Sequence, residues 1–294
     1  MHKPTLLRVY QKLNVKADKY YEGRKFEFDE PISGPKLLCY LLIGPSTHSS
    51  AAHVRNTWGR RCDKIIFFST KPDNFLNTVP LKIKEGYAYL WEKSKHALKH
   101  LYKNYYNDFD WFLKADDDTY VIVENLKSFL ENRNHSSDPV YFGVKFKMFV
   151  KQGFMSGGGG YVFSKEALHR VVTEGFNSND TSLCPHNTTS GAEDVNLGKC
   201  FESVGVVAEE SHDEEGRPRF FSHNPMDLFF PTDLINHLHW YWKFVKHPHS
   251  LGPECCSQFS ISFHGIEPRM MWVLEMLLYH IKVTGRQYGN NTYS

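Results

Sequence analysis

What most constrains this chain is an alternation in its first half. Three short, mostly apolar runs, at 36–43, 64–69 and 110–115, are separated by stretches whose apolar residues recur every three or four positions. A continuous apolar run has no polar face, so each reads as a strand covered above and below. The first ends at Gly44-Pro45, and a helix should follow, capped by Ser46 or Thr47 and running to about Trp58, where Gly59 stops it. A second helix spans 87–105, where positions 87, 90, 91, 94, 98, 101, 102 and 105 form one stripe that is polar only at Ser94. Strands alternating with helices imply an α/β fold with a mainly parallel central sheet flanked by helices. The second half is less regular, passing from 141–147 through glycines 157–160 to a strand-like end at 261–263 and a helix over 267–281. The histidine-rich stretch 237–249 reads as loop. Neither a low-complexity linker nor an internal repeat divides the chain, so one domain over 31–294 is expected. It follows a basic extension over 1–30, in which seven Lys and Arg face five Asp and Glu.

The third strand leads into Asp116-Asp117-Asp118. Three adjacent carboxylates repel one another, and a divalent cation resolves that repulsion; a solvated acidic turn capping the next helix, at 123–131, is the plainer explanation. The carboxyl ends of parallel strands are also where open sheets hold ligands. Alternate residues of an extended segment point the same way, so Asp116 and Asp118 can converge on one ion while Asp117 turns elsewhere. Mn²⁺ accepts imidazole as well as carboxylate, and His264, in ISFHG, is the candidate third ligand. In MSGGGGYVFS (155–164), four glycines let backbone approach a bulky ligand and offer amides to sugar or phosphate oxygens. The segment has neither the P-loop pattern nor G-x-G-x-x-G after a strand, so nucleotide binding does not follow from it, and an ordinary glycine turn accounts for it equally. Glu193-Asp194 opens an amphipathic helix, where the dipole favours acids and capping is the ordinary explanation.

Composition excludes other classes. The 294 residues carry 35 Lys plus Arg against 33 Asp plus Glu, which gives no broad basic field for nucleic acid. The apolar run at 37–43 is far short of the roughly 20 residues that span a bilayer. No apolar stretch follows Met1, so there is no signal peptide at this start. Six cysteines without metal-ligand spacing favour disulfides over zinc. Fifteen pairings are open to them. Local pairing of Cys39 with Cys62 and Cys184 with Cys200 closes short loops and leaves Cys255 and Cys256 together. Glycosylation sequons start at Asn134, Asn179, Asn187 and Asn290. Cysteines and sequons together point to an oxidising, luminal compartment, reached through a membrane anchor that this sequence does not contain.

HVRNTWG (53–59), DWFLKADDDTYV (110–121), KQGFMSGGGGYVFSKEAL (151–168), EDVNLGKC (193–200) and SFHG (262–265) occur in that order. Together they resemble the β1,3-glycosyltransferase family, over about residues 36–281. Within it, KQGFMSGG and GPECCSQFSISFHG (252–265) are most similar to members that add galactose to GalNAc on Ser or Thr of glycoproteins, the core 1 O-glycan reaction. The resemblance implies a GT-A fold, UDP-galactose as donor, Mn²⁺ as cofactor, inversion at the anomeric carbon and a type II anchor in the Golgi. A homodimer is in keeping with it. Residue by residue, it implies Asp116, Asp118 and His264 as metal ligands and Asp194 as catalytic base. It places Arg55, Glu85, Lys93 and Lys114 at the donor site, joined there by Asp116, Asp117, Gly158 and Gly159. Trp240, Tyr241, Trp242 and Trp272 can stack on sugars or fill core. Two alternatives stay open: a related transferase of N-acetylglucosamine or one that elongates fucose, and a non-catalytic lectin-like or chaperone module, against which the intact motifs argue.

Overall fold

The computed structural model describes residues 34–131, 137–230 and 239–284. The basic extension expected over 1–30 lies outside the described residues. The chain opens with β1 (Leu37–Leu42), α1 (His48–Asn56), β2 (Lys64–Ser69) and β3 (Val79–Pro80), followed by α2 (Leu90–Tyr105) and β4 (Trp111–Ala115). β5 (Tyr120–Val121), α3 (Val123–Glu131), β6 (Val140–Gly143), β7 (Lys145–Phe146), β8 (Phe154–Met155) and β9 (Tyr161–Ser164) come next. The remainder comprises α4 (Lys165–Thr173), α5 (Glu193–Ser203), β10 (Val207–Ala208), β11 (Phe220–Phe221), α6 (Pro225–Phe229), α7 (His239–Phe244), β12 (Ser262–Phe263) and α8 (Pro268–Tyr279).

The main sheet has the order β10-β6-β9-β4-β1-β2-β3. β1, β2, β3 and β4 run parallel, and β9 is antiparallel to both β4 and β6. This is the Rossmann-like, mainly parallel, helix-flanked architecture expected from the sequence. Its central strand explains why. All six residues of β1 are buried; Leu37, Cys39 and Leu41 join one core, and Leu38, Tyr40 and Leu42 the other. Period-two alternation thus feeds both faces of the sheet, and each large apolar side chain so buried contributes about 1.5–3 kcal/mol. α2 packs its stripe of Trp91, Ala97, Leu98 and Leu101 into the second core. β11, β12 and β5 form a separate three-stranded sheet, in which β12 is antiparallel to β5.

Several local expectations change. Neither Ser46 nor Thr47 caps α1 through its side chain; Thr47 Oγ1 instead bonds the backbone of Gly44. α1 ends at Asn56 and a 3₁₀ turn, Trp58–Arg61, follows, so Gly59 is not the stop. Gly59 is needed for close approach: a Cβ there would lie 2.6 Å from Ile65 Cδ1 and 2.8 Å from the Val54 carbonyl. The helix expected from 87 begins as a 3₁₀ turn, Tyr87–Tyr89, and becomes α at Leu90. The histidine-rich stretch, expected as loop, contains α7, whose Tyr241 is buried and whose following residue Val245 bridges to Phe146. The disulfides Cys39–Cys62 and Cys184–Cys200 are those of the local scheme, and the adjacent Cys255 and Cys256, for which that scheme allows either a bridge or two free thiols, are bridged.

Candidate active site

The aspartates leave β4 at the carboxyl end of the parallel strands. Ala115 lies opposite Leu41 of β1, so Ile43, Gly44 and Asp116 reach the same edge. The chain then turns: Thr119 Oγ1 accepts from the Asp116 amide at 3.3 Å, and β5 pairs with β12 in the register Phe263↔Tyr120. That pairing carries His264 to the acids, and the Ile266 amide donates to the Asp118 carbonyl at 2.8 Å. His264 Nε2 lies 3.2 Å from Asp118 Oδ1, and Asp116, Asp118 and His264 offer ligand atoms all within 4.8 Å of one another. Two carboxylates and an imidazole are a donor set that suits Mn²⁺ better than Mg²⁺ or Ca²⁺.

Electrostatics follow from this crowding. Burial pushes Asp117 up to about 6, reinforced by the charges of Asp118 and Asp116. Burial also opposes ionisation of Asp118 and His264, but their mutual hydrogen bond and opposite charges win, lowering the carboxyl and raising the imidazole. A bound cation would take the place of that imidazolium proton. Lys114 is buried, which disfavours its charge. The carboxylates of Asp116, Glu193 and Asp194 outweigh that and raise its pKa. Its Nζ lies 2.5 Å from Asp116 Oδ1 and 3.3 Å from the Gly157 carbonyl.

The glycine run touches both acidic groups. Thr119 Oγ1 donates to the Gly158 carbonyl at 2.8 Å and Ser262 Oγ to the Gly159 carbonyl at 2.5 Å. A Cβ on Gly158 would stand 2.8 Å from the His264 ring, and one on Gly159 2.5 Å from Val144 Cγ2. On the far side of this loop the Gly157 amide donates to Asp194 Oδ2 at 3.0 Å, while Asp194 Oδ1 accepts from the Val195 amide at 2.8 Å. Beneath Asp194, at the start of α5, Glu193 is 4 % exposed and its Oε1 accepts from Ser94 Oγ and Tyr161 OH, each at 2.7 Å. Burial raises the Glu193 carboxyl, against the nearby charge of Lys114 and the hydroxyl of Ser94. Glu193 is therefore no cap; it faces the core.

Other sequence-derived candidates divide. Lys93 Nζ bonds Glu85 Oε1 at 3.0 Å and the Ile43 carbonyl at 2.8 Å, which holds both residues at the end of β1. Arg55 donates to the Phe75 carbonyl and stacks over the Phe75 ring, 4.4 Å from its centroid. Tyr241 is core, Trp272 Nε1 bonds His53 Nδ1 at 2.9 Å, and Trp240 is 48 % exposed. Glu193, Tyr161, Thr119 and Ser262 were not singled out from the sequence as functional residues. Ser94, the polar break in an apolar stripe, was the one visible trace of their network.

Comparisons with known proteins converge on one group. The Fringe-like family model matches residues 48–274. Glycoprotein-N-acetylgalactosamine 3-beta-galactosyltransferase 1 of Xenopus laevis is 41 % identical over 254 residues, covering 86 % of this chain and 69 % of the relative. A beta-1,3-glucosyltransferase of Mus musculus is 28 % identical over 203 residues, 66 % of this chain but only 38 % of that protein. Among solved structures, a mannosyltransferase from Pyrobaculum calidifontis covers 67 % of this chain and 60 % of its own, at 11 % identity and a TM-score of 0.37, too distant to inform the site.

Proposed function

Because the chain belongs to the Fringe-like family of β1,3-glycosyltransferases, we propose that it transfers galactose from UDP-galactose to the 3-hydroxyl of GalNAc α-linked to Ser or Thr, with inversion and with Mn²⁺ as cofactor. The observation that carries this reading is a division of labour across one glycine loop. Asp116, Asp118 and His264 converge on the Gly158 side, and Asp194 is tied to Gly157. The name of the Xenopus relative supports the acceptor, galactose and the linkage.

A divalent ion held by Asp116, Asp118 and His264 would supply positive charge to the diphosphate as it departs. The remaining steps belong to this chain's own groups. Backbone amides of Gly157 and Val195 fix the two oxygens of Asp194 and leave each a lone pair for an incoming hydroxyl. As the acceptor O3 bonds to C1 of galactose, the C1–O bond to UDP breaks and the hydroxyl proton passes to Asp194. Attack from the face opposite UDP turns an α donor into a β product. Lys114 fastens Asp116 to the Gly157 carbonyl, so both halves of the site keep their spacing. Asp117, Gly159, Glu85, Lys93 and Arg55 complete the proposed donor surface.

Residues 31–294 are proposed as the catalytic domain and 1–30 as its stem, in the Golgi lumen as part of a type II membrane protein. Disulfides support an oxidising compartment. Among the described residues no helix is long and apolar enough to cross a membrane.

The test is to incubate the purified chain with Mn²⁺, a GalNAc-threonine peptide and a panel of UDP-sugars, with products identified by mass spectrometry. Galactose should be transferred and EDTA should stop it; transfer of another sugar replaces the donor, and no transfer removes the enzyme reading. Asp194→Asn should bind UDP normally and turn over at least ~100-fold more slowly. Equal turnover would eliminate Asp194 as base.

A further inference from the structure

β7 and β8 are joined by a tip on which Phe149 is held at φ +69° and is 62 % exposed. A side-chain-bearing residue adopts that left-handed conformation at a cost, and presenting a large ring to water adds to it. Phe149 is not isolated. Its ring lies 5.9 Å from that of Phe244, and Phe244 lies 6.4 Å from Trp240, one helical turn away on α7. Trp240 in turn packs 6.0 Å from His223, the neighbour of Ser222, whose carbonyl faces His264 Nδ1 at 3.4 Å. An aromatic strip therefore runs from the rim of the acid–histidine cluster out to the β7–β8 tip.

Exposed lysines flank the strip, and among the described residues the one carboxylate bonded to the tip, that of Glu202, accepts from the Gln152 amide at 2.7 Å. Lys147 and Lys151 bracket Phe149 in the tip, and Lys243 lies three residues after Trp240, on its side of α7. All three are exposed, and among the described residues none of them is in an ion pair. The Lys147 amide donates to the Phe244 carbonyl at 2.8 Å, which locks the tip to α7 so that rings and ammonium groups share one surface.

Resting on the reading of the site as a transferase to peptide-linked GalNAc, we propose that this face docks the acceptor polypeptide itself, through acidic residues flanking the glycosylated Ser or Thr. The sugar enters the site while its polypeptide must leave across the rim. Aromatic rings offer contact area to any side chain, and the lysines select carboxylates. Peptide context is then read on the protein surface, away from the reacting atoms.

The experiment compares wild type with Lys147→Glu/Lys151→Glu/Lys243→Glu on three acceptors: a small GalNAc aryl glycoside, and GalNAc-threonine peptides flanked by Asp and Glu or by Lys. Wild type should favour the acidic over the basic glycopeptide by about tenfold in kcat/KM at low salt, through KM, with the gap closing as salt rises. The triple variant should lose or reverse that preference and keep the aryl-glycoside rate. Equal use of both peptides by wild type, or loss of the aryl-glycoside rate in the variant, overturns the proposal. If none of the acceptors is turned over, the transferase reading fails by itself. Anisotropy of a labelled acidic peptide then decides: weaker binding by the variant upholds the docking face, and unchanged binding ends it. Binding to phosphatidylserine vesicles but not to the acidic peptide would mark the face as a membrane contact and overturn the assignment.

Discussion

Gly158 illustrates how narrow the tolerances of the site are at the level of single residues. The three atoms nearest to a Cβ at this position all belong to the His264 ring, the nearest at 2.8 Å. The imidazole reaches Asp118 because the chain at 158 has no side chain. Gly158→Ala should therefore push the ring off its position and weaken Mn²⁺ binding by about 10–100-fold, the scale seen when a metal ligand loses its support. Metal titration by calorimetry checks this; affinity equal to wild type would mean that His264 is not held by this contact. At the same scale, Asp117 and Asp118 are chemically identical and differ in their surroundings. Burial, together with the charges of Asp118 and Asp116, pushes one up to about 6, and the other faces an imidazole and stays ionised to lower pH.

Among the elements, α8 is anchored by a polar group at its centre. Glu275 is 2 % exposed, and its carboxylate accepts from Arg60 at 2.9 Å, Arg61 at 2.7 Å and Tyr120 OH at 3.1 Å. These bonds join α8 to the 3₁₀ turn Trp58–Arg61 and to β5, the strand that places Thr119 and aligns β12. Burial works against the Glu275 charge, yet the two guanidinium groups hold its pKa below the usual glutamate value. A carboxyl lowered in the folded state stabilises above its unfolded pKa, and that contribution disappears as pH falls through the folded value. Glu275→Gln should cost about 1.5–3 kcal/mol at neutral pH, because the largely buried Arg61 loses its closest carboxylate and keeps only that of Glu124 at 3.2 Å. Urea titrations at pH 7 and at pH 3 check it: the gap between variant and wild type should shrink in acid, and a pH-independent gap would refute the ionic account.

In the molecule as a whole, two cores on opposite faces of one sheet support the edge that carries the candidate site, and disulfides tie its loops down. Cys184–Cys200 fastens the segment before α5 to the helix that carries Asp194. Closing a loop with a sequence separation of 16, it should be worth about 3 kcal/mol; Cys184→Ala/Cys200→Ala should lose that much in non-reducing urea denaturation. A smaller loss would mean that the loop is already ordered by contacts such as those of Lys95 with the His186 and Thr188 carbonyls. The sheet and its helices were readable beforehand, because a strand buried on both faces and a helix buried on one leave period-two and three-and-four patterns in the chain itself. The acidic triplet and the glycine run were readable too, as residues unsuited to ordinary core or surface. Details set by single contacts were not, such as the α7 turn, the role of Gly59 and the capping at Thr47. Nor was the inward turn of Glu193, whose partners Ser94 and Tyr161 come from two other elements. Sequence alone determined the fold class, since periodicity is a local property, and its ordered motifs supplied the family resemblance from which the proposed site residues follow. Only the tertiary structure decided that His264 meets Asp118 and that Gly157 bonds both Asp194 and Lys114, because β5–β12 pairing and the packing of a glycine loop join segments that no local pattern relates.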